Sequence, residues 1–180
     1  MSTTKTLKTT QDYFALPDDP RVELIAGEFY VVPGPFFAHQ RAVREVLTAI
    51  HDVVRSEACG EVVPAPFDVI LSAHDVVQPD VVFIAREHLD RIRGQLHGPP
   101  DVAVEVVSAS NAERDRIVKR DLYARAGVPE FWLVDLAARA VEVLVLEDGA
   151  WRIAGIFEPG DDVVSPAFPD LDLPADRIFA

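Results

Sequence analysis

Cysteine and long apolar runs are scarce in this chain of 180 residues, and each scarcity excludes a class of protein. The single cysteine, Cys59, cannot form an intramolecular disulfide or a thiolate metal site, which fits a reducing compartment. No run reaches the ~18 uninterrupted apolar residues that a membrane span needs, and the polar residues 1–12 lack the apolar core of a signal peptide. We therefore expect a soluble, cytoplasmic protein with no membrane partner.

Positive charge is also scarce. The chain has 17 Lys and Arg against 30 Asp and Glu, a formal net charge of −13, which argues against a general polyanion-binding surface. Any contact with nucleic acid would have to be local. Hydrophobic residues make up 49% and charged residues 26% of the chain, as in soluble globular domains. With no internal repeat and no Gly/Ser linker, the length predicts a single domain over residues 1–180.

Breaker residues divide the chain into alternating helix and strand patterns. Apolar positions at helical spacing predict a long helix over 36–57 that Gly60 ends, and a second helix over 111–126 with N-caps in 108–111 and Gly127 at its end. Short apolar runs predict strands over 22–25, 29–32, 61–63, 67–71, 81–85, 102–107, 131–134, 141–146 and 151–157. The acidic tail over 158–176 is expected on the surface. These patterns predict an α/β fold with a mixed central sheet flanked by the two helices.

One carboxylate interrupts the most apolar predicted strand. Glu105 lies between Val104 and Val106, where an unpaired buried charge would cost several kcal/mol, so it needs a partner. Asp80 opens an earlier strand directly after Pro79. Two carboxylates from neighbouring strands can share a hard cation such as Mg²⁺ or Mn²⁺ without a His or Cys cluster. Alternatively, Asp80 is a solvated turn residue, and backbone N–H groups or an arginine satisfy Glu105.

A lysine falls on the apolar side of the second predicted helix. A rotation of about 100° per residue places Lys119 in one inward arc with Leu122 and Tyr123, and it is the only lysine after Lys8. A compact ammonium can orient an attacking water or neutralise a phosphate in its transition state. Alternatively, Lys119 forms an i,i+4 ion pair with Asp115, and both interpretations hold if Asp115 orients the lysine. Tyr123 is expected to be a core residue.

Five segments in this order resemble the Uma2 family, which has the restriction-endonuclease-like PD-(D/E)xK fold. They are VELIAGE at 22–28, His39 at the start of the long helix, QPDVV at 78–82, PDVAVEVVS at 100–108, and Lys119 followed by YARAGVPEFWLVD at 123–135. The resemblance covers residues 9–146. The chain departs from the simple motif because Val107 stands where the motif has its lysine, and Lys119 on the next helix takes that place.

The resemblance implies an Mg²⁺- or Mn²⁺-dependent endonuclease that hydrolyses phosphodiester bonds in DNA. It implies a metal site from Asp80 and Glu105, with Glu23 contributing, and a lysine for the attacking water. The carbonyl of Val106 is a further candidate metal ligand. The resemblance also implies a homodimer that reaches both strands. Glu23 could instead be an exposed hairpin residue.

Other polar residues near these segments have less defined roles. His39 is either solvated at its helix start or a contact to phosphate or substrate. Three arginines shortly after the Asp80 strand form a local basic cluster, either a short phosphate track or a solvated helix face. They are Arg86, Arg91 and Arg93.

Two other function classes remain open at the level of the sequence. The first is a non-catalytic nuclease-fold module for binding or assembly, which the net charge of −13 favours. The second is a hydrolase of small phosphoesters, which would tolerate an acidic surface. Asp80, Glu105 and Lys119 together favour catalysis.

Overall fold

A computed structural model describes residues 6–17, 19–107 and 114–180 of the chain, and in the last range it describes side chains from residue 117 onward. Turn and cap residues set the boundaries of the helices and strands. The helices are α1 (Thr10–Phe14), α2 (Phe37–Glu57), α3 (Arg120–Ala126) and α4 (Ala175–Phe179). A 3-10 helix spans Arg86–Arg91, and a π-helical segment over Arg114–Lys119 leads into α3. The strands are β1 (Val22–Ile25), β2 (Glu28–Val31), β3 (Gly60–Pro64), β4 (Val69–Ser72), β5 (Asp75–Val77), β6 (Val81–Ala85), β7 (Ile92–Arg93), β8 (Gln95–His97), β9 (Val102–Val107), β10 (Glu130–Asp135), β11 (Ala140–Glu147) and β12 (Ala150–Phe157).

The strands form two mixed sheets of six strands each. The first has the order β2-β1-β5-β4-β8-β7, and the second has the order β12-β11-β10-β9-β6-β3. Strand β9 lies inside the second sheet, parallel to β10 and antiparallel to β6, and all its residues are buried. The predicted α/β class and the central position of the Val-rich strand are confirmed, whereas a second sheet was not predicted.

Two-residue turns close the hairpins. Ala26 and Gly27 connect β1 and β2 with φ of 51° and 74°, a conformation that matches the twist of the strands. Strand β2 therefore begins at Glu28, one residue before the predicted start. Asp148 and Gly149 form the equivalent turn between β11 and β12, with φ of 51° and 78°.

The long helix α2 forms as predicted but ends differently. Its apolar stripe of Val43, Val46, Ile50 and Val53 packs in the same core as the Val-rich β9. Ala58, with φ of 51°, ends the helix, not Gly60. Gly60 begins β3, where a Cβ atom would lie 2.2 Å from the carbonyl oxygen of Ile84. The glycine is therefore required for close strand packing, and the interpretation of Gly60 as a helix stop is wrong.

The end of α3 agrees with the prediction, since Gly127 adopts φ of 79° and the N–H of Val128 donates to the Tyr123 carbonyl. The predicted N-caps in 108–111 lie outside the described residues. No helix among the described residues is long and apolar enough to cross a membrane.

The C-terminal tail is solvated only in part, because its acidic residues are exposed whereas several apolar residues between them are buried. Val163, Phe168 and Leu173 are buried, and α4 contributes Ile178 and Phe179 to the core beside α2. The sequence shows no regular spacing of these buried apolar residues, because Asp and Pro residues separate them by irregular intervals. The expectation of a solvated tail therefore holds for the acidic residues and is wrong for the apolar ones, whose burial fixes the tail to the core.

Candidate active site

One cavity of about 60 Å³ collects polar side chains from distant parts of the chain. Among the residues lining it are five that the sequence predicts as site residues: Glu23, His39, Asp80, Glu105 and Lys119. The sheet register explains part of this arrangement, because Val81 pairs with Val104 and so brings the start of β6 beside the middle of β9. Asp80 and Glu105 flank that pair.

Lys119 connects two of these carboxylates. Its Nζ lies 2.8 Å from Oε1 of Glu105 and 2.9 Å from Oε1 of Glu23. All three residues are buried, with Lys119 3% exposed. Buried charges persist only when they are paired and hydrogen-bonded, so the ammonium offsets the cost of burying both carboxylates. The charge of Lys119, at the end of the π-helical segment directly before α3, therefore reaches Glu105 on β9, although Val107 stands where the motif has its lysine.

Asp80 faces the cavity with more solvent access. Its Oδ2 accepts a hydrogen bond of 2.8 Å from the N–H of Val106. The Nε2 of His39 lies 3.3 Å from the same oxygen, and the Asp80 and His39 side chains are 15% and 13% exposed. Val106 thus contacts this carboxylate through its N–H, whereas its predicted role is that of a carbonyl ligand.

Sequence reasoning assigned Tyr123 to the core, but its hydroxyl belongs to the site. The residue is fully buried, and its hydroxyl donates a hydrogen bond of 2.6 Å to Oε1 of Glu105. The available signal is its spacing, because residues four apart share a helix face and Lys119 precedes it by four.

Gln78, two residues before Asp80, was also missed. Its N–H donates to Oε1 of Glu23 over 2.9 Å, and its Nε2 donates to Oδ1 of Asp68 over 2.8 Å. Because a carboxylate only accepts, the amide nitrogen must face Asp68 and the amide oxygen must face away. That oxygen, Oε1, is buried and has no hydrogen-bond partner within the described residues.

Tyr13 belongs to the same hydrogen-bond network as Gln78 and Asp68. Its hydroxyl donates to Oδ1 of Asp68 over 2.8 Å and accepts from Nε2 of Gln78 over 3.1 Å. Burial, followed by the hydrogen bond to Asp68, raises the pKa of Tyr13 well above its usual value. The tyrosine therefore remains a neutral donor that holds Asp68 against Gln78.

The proposed role of Asp115 stays a prediction, because its side chain lies outside the described residues. The basic cluster, in contrast, does not line the cavity. Arg86 follows the end of β6 while Asp80 precedes its start, so the length of the strand, roughly 17 Å, separates them. Arg86 donates to the carbonyl of Ala58, and Arg91 donates to that of Pro99 at 3.3 Å. The interpretation of this cluster as a phosphate track beside the site is therefore wrong.

The donor set suits a hard divalent cation chemically. Asp80 and Glu105 supply carboxylate oxygens, which Mg²⁺ and Mn²⁺ prefer, and the amide oxygen of Gln78 is a further hard donor at the same cavity. Within the described ranges, no three His, Cys, Asp or Glu side chains form a metal-holding group. A cation here would therefore complete its coordination with backbone, water or phosphate oxygens, as Mg²⁺ commonly does.

One solved structure shares this architecture. The structure is similar to a crystal structure, at 1.96 Å resolution, of "a putative nuclease belonging to DUF820" from Anabaena variabilis ATCC 29413. The TM-score is 0.79 and the identity 21%, over 95% of this chain and 97% of that one, which shows a shared fold. The type IIG restriction endonuclease BpuSI matches with a TM-score of 0.44 and 15% identity, over 83% of this chain and 17% of that one.

No curated protein matches the sequence. The model of the Uma2 family, described as "Putative restriction endonuclease", matches residues 10–176. Because this match spans nearly the whole chain, the protein belongs to the Uma2 family.

Proposed function

We propose that this protein is a metal-dependent endonuclease that hydrolyses phosphodiester bonds in DNA. The observation that carries the proposal is the convergence of Asp80, Glu105 and Lys119 on one cavity, although they come from a strand start, a strand centre and a helix. Two carboxylates with a nearby ammonium are the groups that metal-assisted phosphoryl chemistry uses. Membership of a family of restriction-endonuclease-like proteins supports the same reaction class.

In this proposal, Asp80 and Glu105 hold Mg²⁺ or Mn²⁺, with Glu23 and the backbone of Val106 assisting. A bound divalent cation would polarise a phosphate oxygen and lower the pKa of a coordinated water. Lys119 orients the attacking water with an ammonium that Glu23 and Glu105 hold in place at 2.9 and 2.8 Å. Because that ammonium is already desolvated, its charge acts strongly on a phosphate in the cavity.

Two further residues position the carboxylates. Tyr123 donates to the oxygen of Glu105 that also contacts Lys119, which fixes the orientation of this carboxylate. His39 lies against Oδ2 of Asp80, where it restricts the rotation of the side chain and stands near an incoming phosphate. Both residues act on groups proposed to contact the cation or the substrate.

Calorimetry with Mn²⁺ and Mg²⁺ tests the cation site directly. We expect the wild type to bind the cation and Asp80→Asn to bind it at least tenfold more weakly, because one anionic ligand is lost. Asp80→Asn keeps an oxygen for the N–H of Val106, so the fold should persist. Asp52→Asn, an equivalent change at a carboxylate on α2 that is 75% exposed, is the matched control and should bind as the wild type does.

Cleavage tested on the same samples separates the function classes. We expect cation-dependent cleavage of DNA, followed on a supercoiled plasmid and on a circular single strand, to be lost in Asp80→Asn and retained in Asp52→Asn. Hydrolysis of a small chromogenic diester without cleavage of either DNA would instead identify a small-phosphoester hydrolase. A wild type that neither binds cation at millimolar concentration nor cuts any substrate would overturn the catalytic proposal in favour of a binding module.

A further inference from the structure

Two adjacent phenylalanines at the start of α2 are exposed, and the first of them lines the cavity. Phe36 and Phe37 are 72% and 80% exposed, and Phe36 lines the cavity together with the Pro33, Gly34 and Pro35 segment before it. Aromatic side chains usually provide much of a protein's buried apolar area, so two adjacent exposed rings beside a polar site need an explanation. Because Phe36 shares the cavity with the proposed catalytic groups and Phe37 follows it directly, the pair indicates a role in substrate binding.

An arginine on the same cavity offers a hydrogen-bond donor. Arg21 precedes β1 and lines the cavity. Its Nε is buried and has no hydrogen-bond partner in the part of the chain that the structure describes. Buried N–H donors nearly always have an acceptor, and a guanidinium matches the geometry of a phosphate. Because the protein has a net charge of −13, it has few cationic groups to attract an anion, and the guanidinium of Arg21 is one that lines this cavity.

The start of α2 adds a favourable field at this position. Phe36 is the N-cap residue of this 21-residue helix, makes no side-chain capping hydrogen bond, and no acidic residue occupies the first turn. The positive end of the helix dipole is therefore left for an external anion, and the cavity is lined by His39 and Gln40 from the first turns. Arg21 and the helix start converge on the cavity beside the exposed rings.

We propose that this face binds single-stranded nucleic acid, with one backbone phosphate between Arg21 and the start of α2 and unstacked bases on Phe36 and Phe37. The inference rests on the proposed nuclease function and names the form of its substrate. Base faces are inaccessible inside a duplex, whereas a single strand can stack them on aromatic rings. A duplex would also require a wider basic surface than this acidic chain provides.

Fluorescence anisotropy with a labelled 12-nucleotide oligothymidylate in EDTA tests this binding, because cleavage cannot occur without cation. We expect Phe36→Ala and Phe37→Ala each to weaken binding about tenfold through the loss of base stacking. Ile156→Ala, at a 55% exposed apolar residue on β12, is the matched control and should bind as the wild type does. A 12-base-pair duplex should bind more weakly than the single strand.

The salt dependence of the same titration tests the phosphate contact. We expect Arg21→Ala to reduce the slope of log K against log salt concentration by about 0.7, the value for one phosphate contact on a single strand. Arg55→Ala, which removes the same charge from an exposed position near the other end of α2, should leave the slope unchanged. The phenylalanine variants should alter affinity with little change in slope.

Equal affinity for single strand and duplex would overturn the inference, as would variants that bind like their controls. Loss of self-association in Phe36→Ala, with unchanged oligonucleotide binding, would overturn it in favour of an interface between copies of this chain. Binding is measured in EDTA and cleavage with cation, which separates the two proposals. Cation-dependent cleavage without single-strand preference refutes this inference alone, and tight binding without any cleavage refutes the nuclease proposal alone.

Discussion

At the level of single residues, Lys119 contributes both to the stability of the fold and to the positions of the carboxylates at the cavity. The ammonium contacts two carboxylates that are 1% and 3% exposed, Glu23 and Glu105. Moving such charges from water to the interior costs several kcal/mol each, and mutual attraction offsets this cost only while the partners remain together. The single ammonium therefore balances one of the two negative charges that it contacts and holds both carboxylates at the cavity.

The first prediction concerns this buried charge. Lys119→Ala should lower the free energy of unfolding by about 3–5 kcal/mol, because it leaves buried carboxylates without the cation they contact. Urea denaturation at neutral pH measures the loss, and Lys8→Ala, at an exposed lysine, should change stability by no more than about 0.5 kcal/mol. A loss below about 1 kcal/mol in Lys119→Ala would show that the carboxylates do not depend on the lysine.

At the element scale, α2 connects the core to the cavity. Its apolar stripe packs beneath the second sheet, while its first turns place Phe36, His39 and Gln40 at the cavity. The far end of the helix carries a local conflict, because Ala58 adopts the left-handed conformation that ordinarily favours glycine. The N–H of Ala58 still donates to the Val54 carbonyl, so the cap geometry itself is satisfied.

The second prediction follows from this cap. Ala58→Gly should raise the free energy of unfolding by about 1 kcal/mol, because glycine adopts φ near 51° without the steric cost of a Cβ atom. In contrast, Ala38→Gly, at an exposed helical position of α2, should lower stability by about 0.5 kcal/mol. Thermal and urea unfolding measure both changes, and an Ala58→Gly variant no more stable than wild type would contradict the cap argument.

At the scale of the whole molecule, the C-terminal tail completes the core on the α2 side of the second sheet. The Phe168 ring packs edge to face against Phe83 and Trp132, with centroids 4.9 and 6.3 Å away. The buried carboxylate of Glu130 on β10 also contacts the tail. It accepts a hydrogen bond of 2.7 Å from Nε1 of Trp132 and one of 3.0 Å from the N–H of Ala167. The tail is thus connected to the strand next to β9.

The third prediction tests this role of the tail. Phe168→Ala should lower the free energy of unfolding by about 3–5 kcal/mol, because it removes a ring that is 1% exposed and leaves a cavity between two sheet residues. Val164→Ala, at a 62% exposed position in the same tail, should stay within about 0.5 kcal/mol of the wild type. Similar stabilities for the two variants would mean that the tail does not contribute to the core.

Local pattern was enough to predict the elements that are long or strongly marked. The Val-rich β9, the 21-residue α2 and the stop at Gly127 follow from periodicity and backbone preference, which act within a few residues. Strands β5, β7 and β8 have three residues or fewer and carry no measurable period, so the second sheet could not be predicted. The buried apolar positions of the tail could not be predicted because their burial depends on distant partners.

The same division holds for the site. Which side chains need partners follows from the local sequence, because a carboxylate within a Val run and a lysine on an apolar helix face are costly to bury alone. Only the tertiary structure placed Glu23, Glu105 and Lys119 within 2.9 Å contacts, added Tyr123 and Gln78, and put Arg21 rather than Arg86 at the cavity. These contacts join residues far apart in the chain, and their distances depend on strand register and helix packing, which no local pattern specifies.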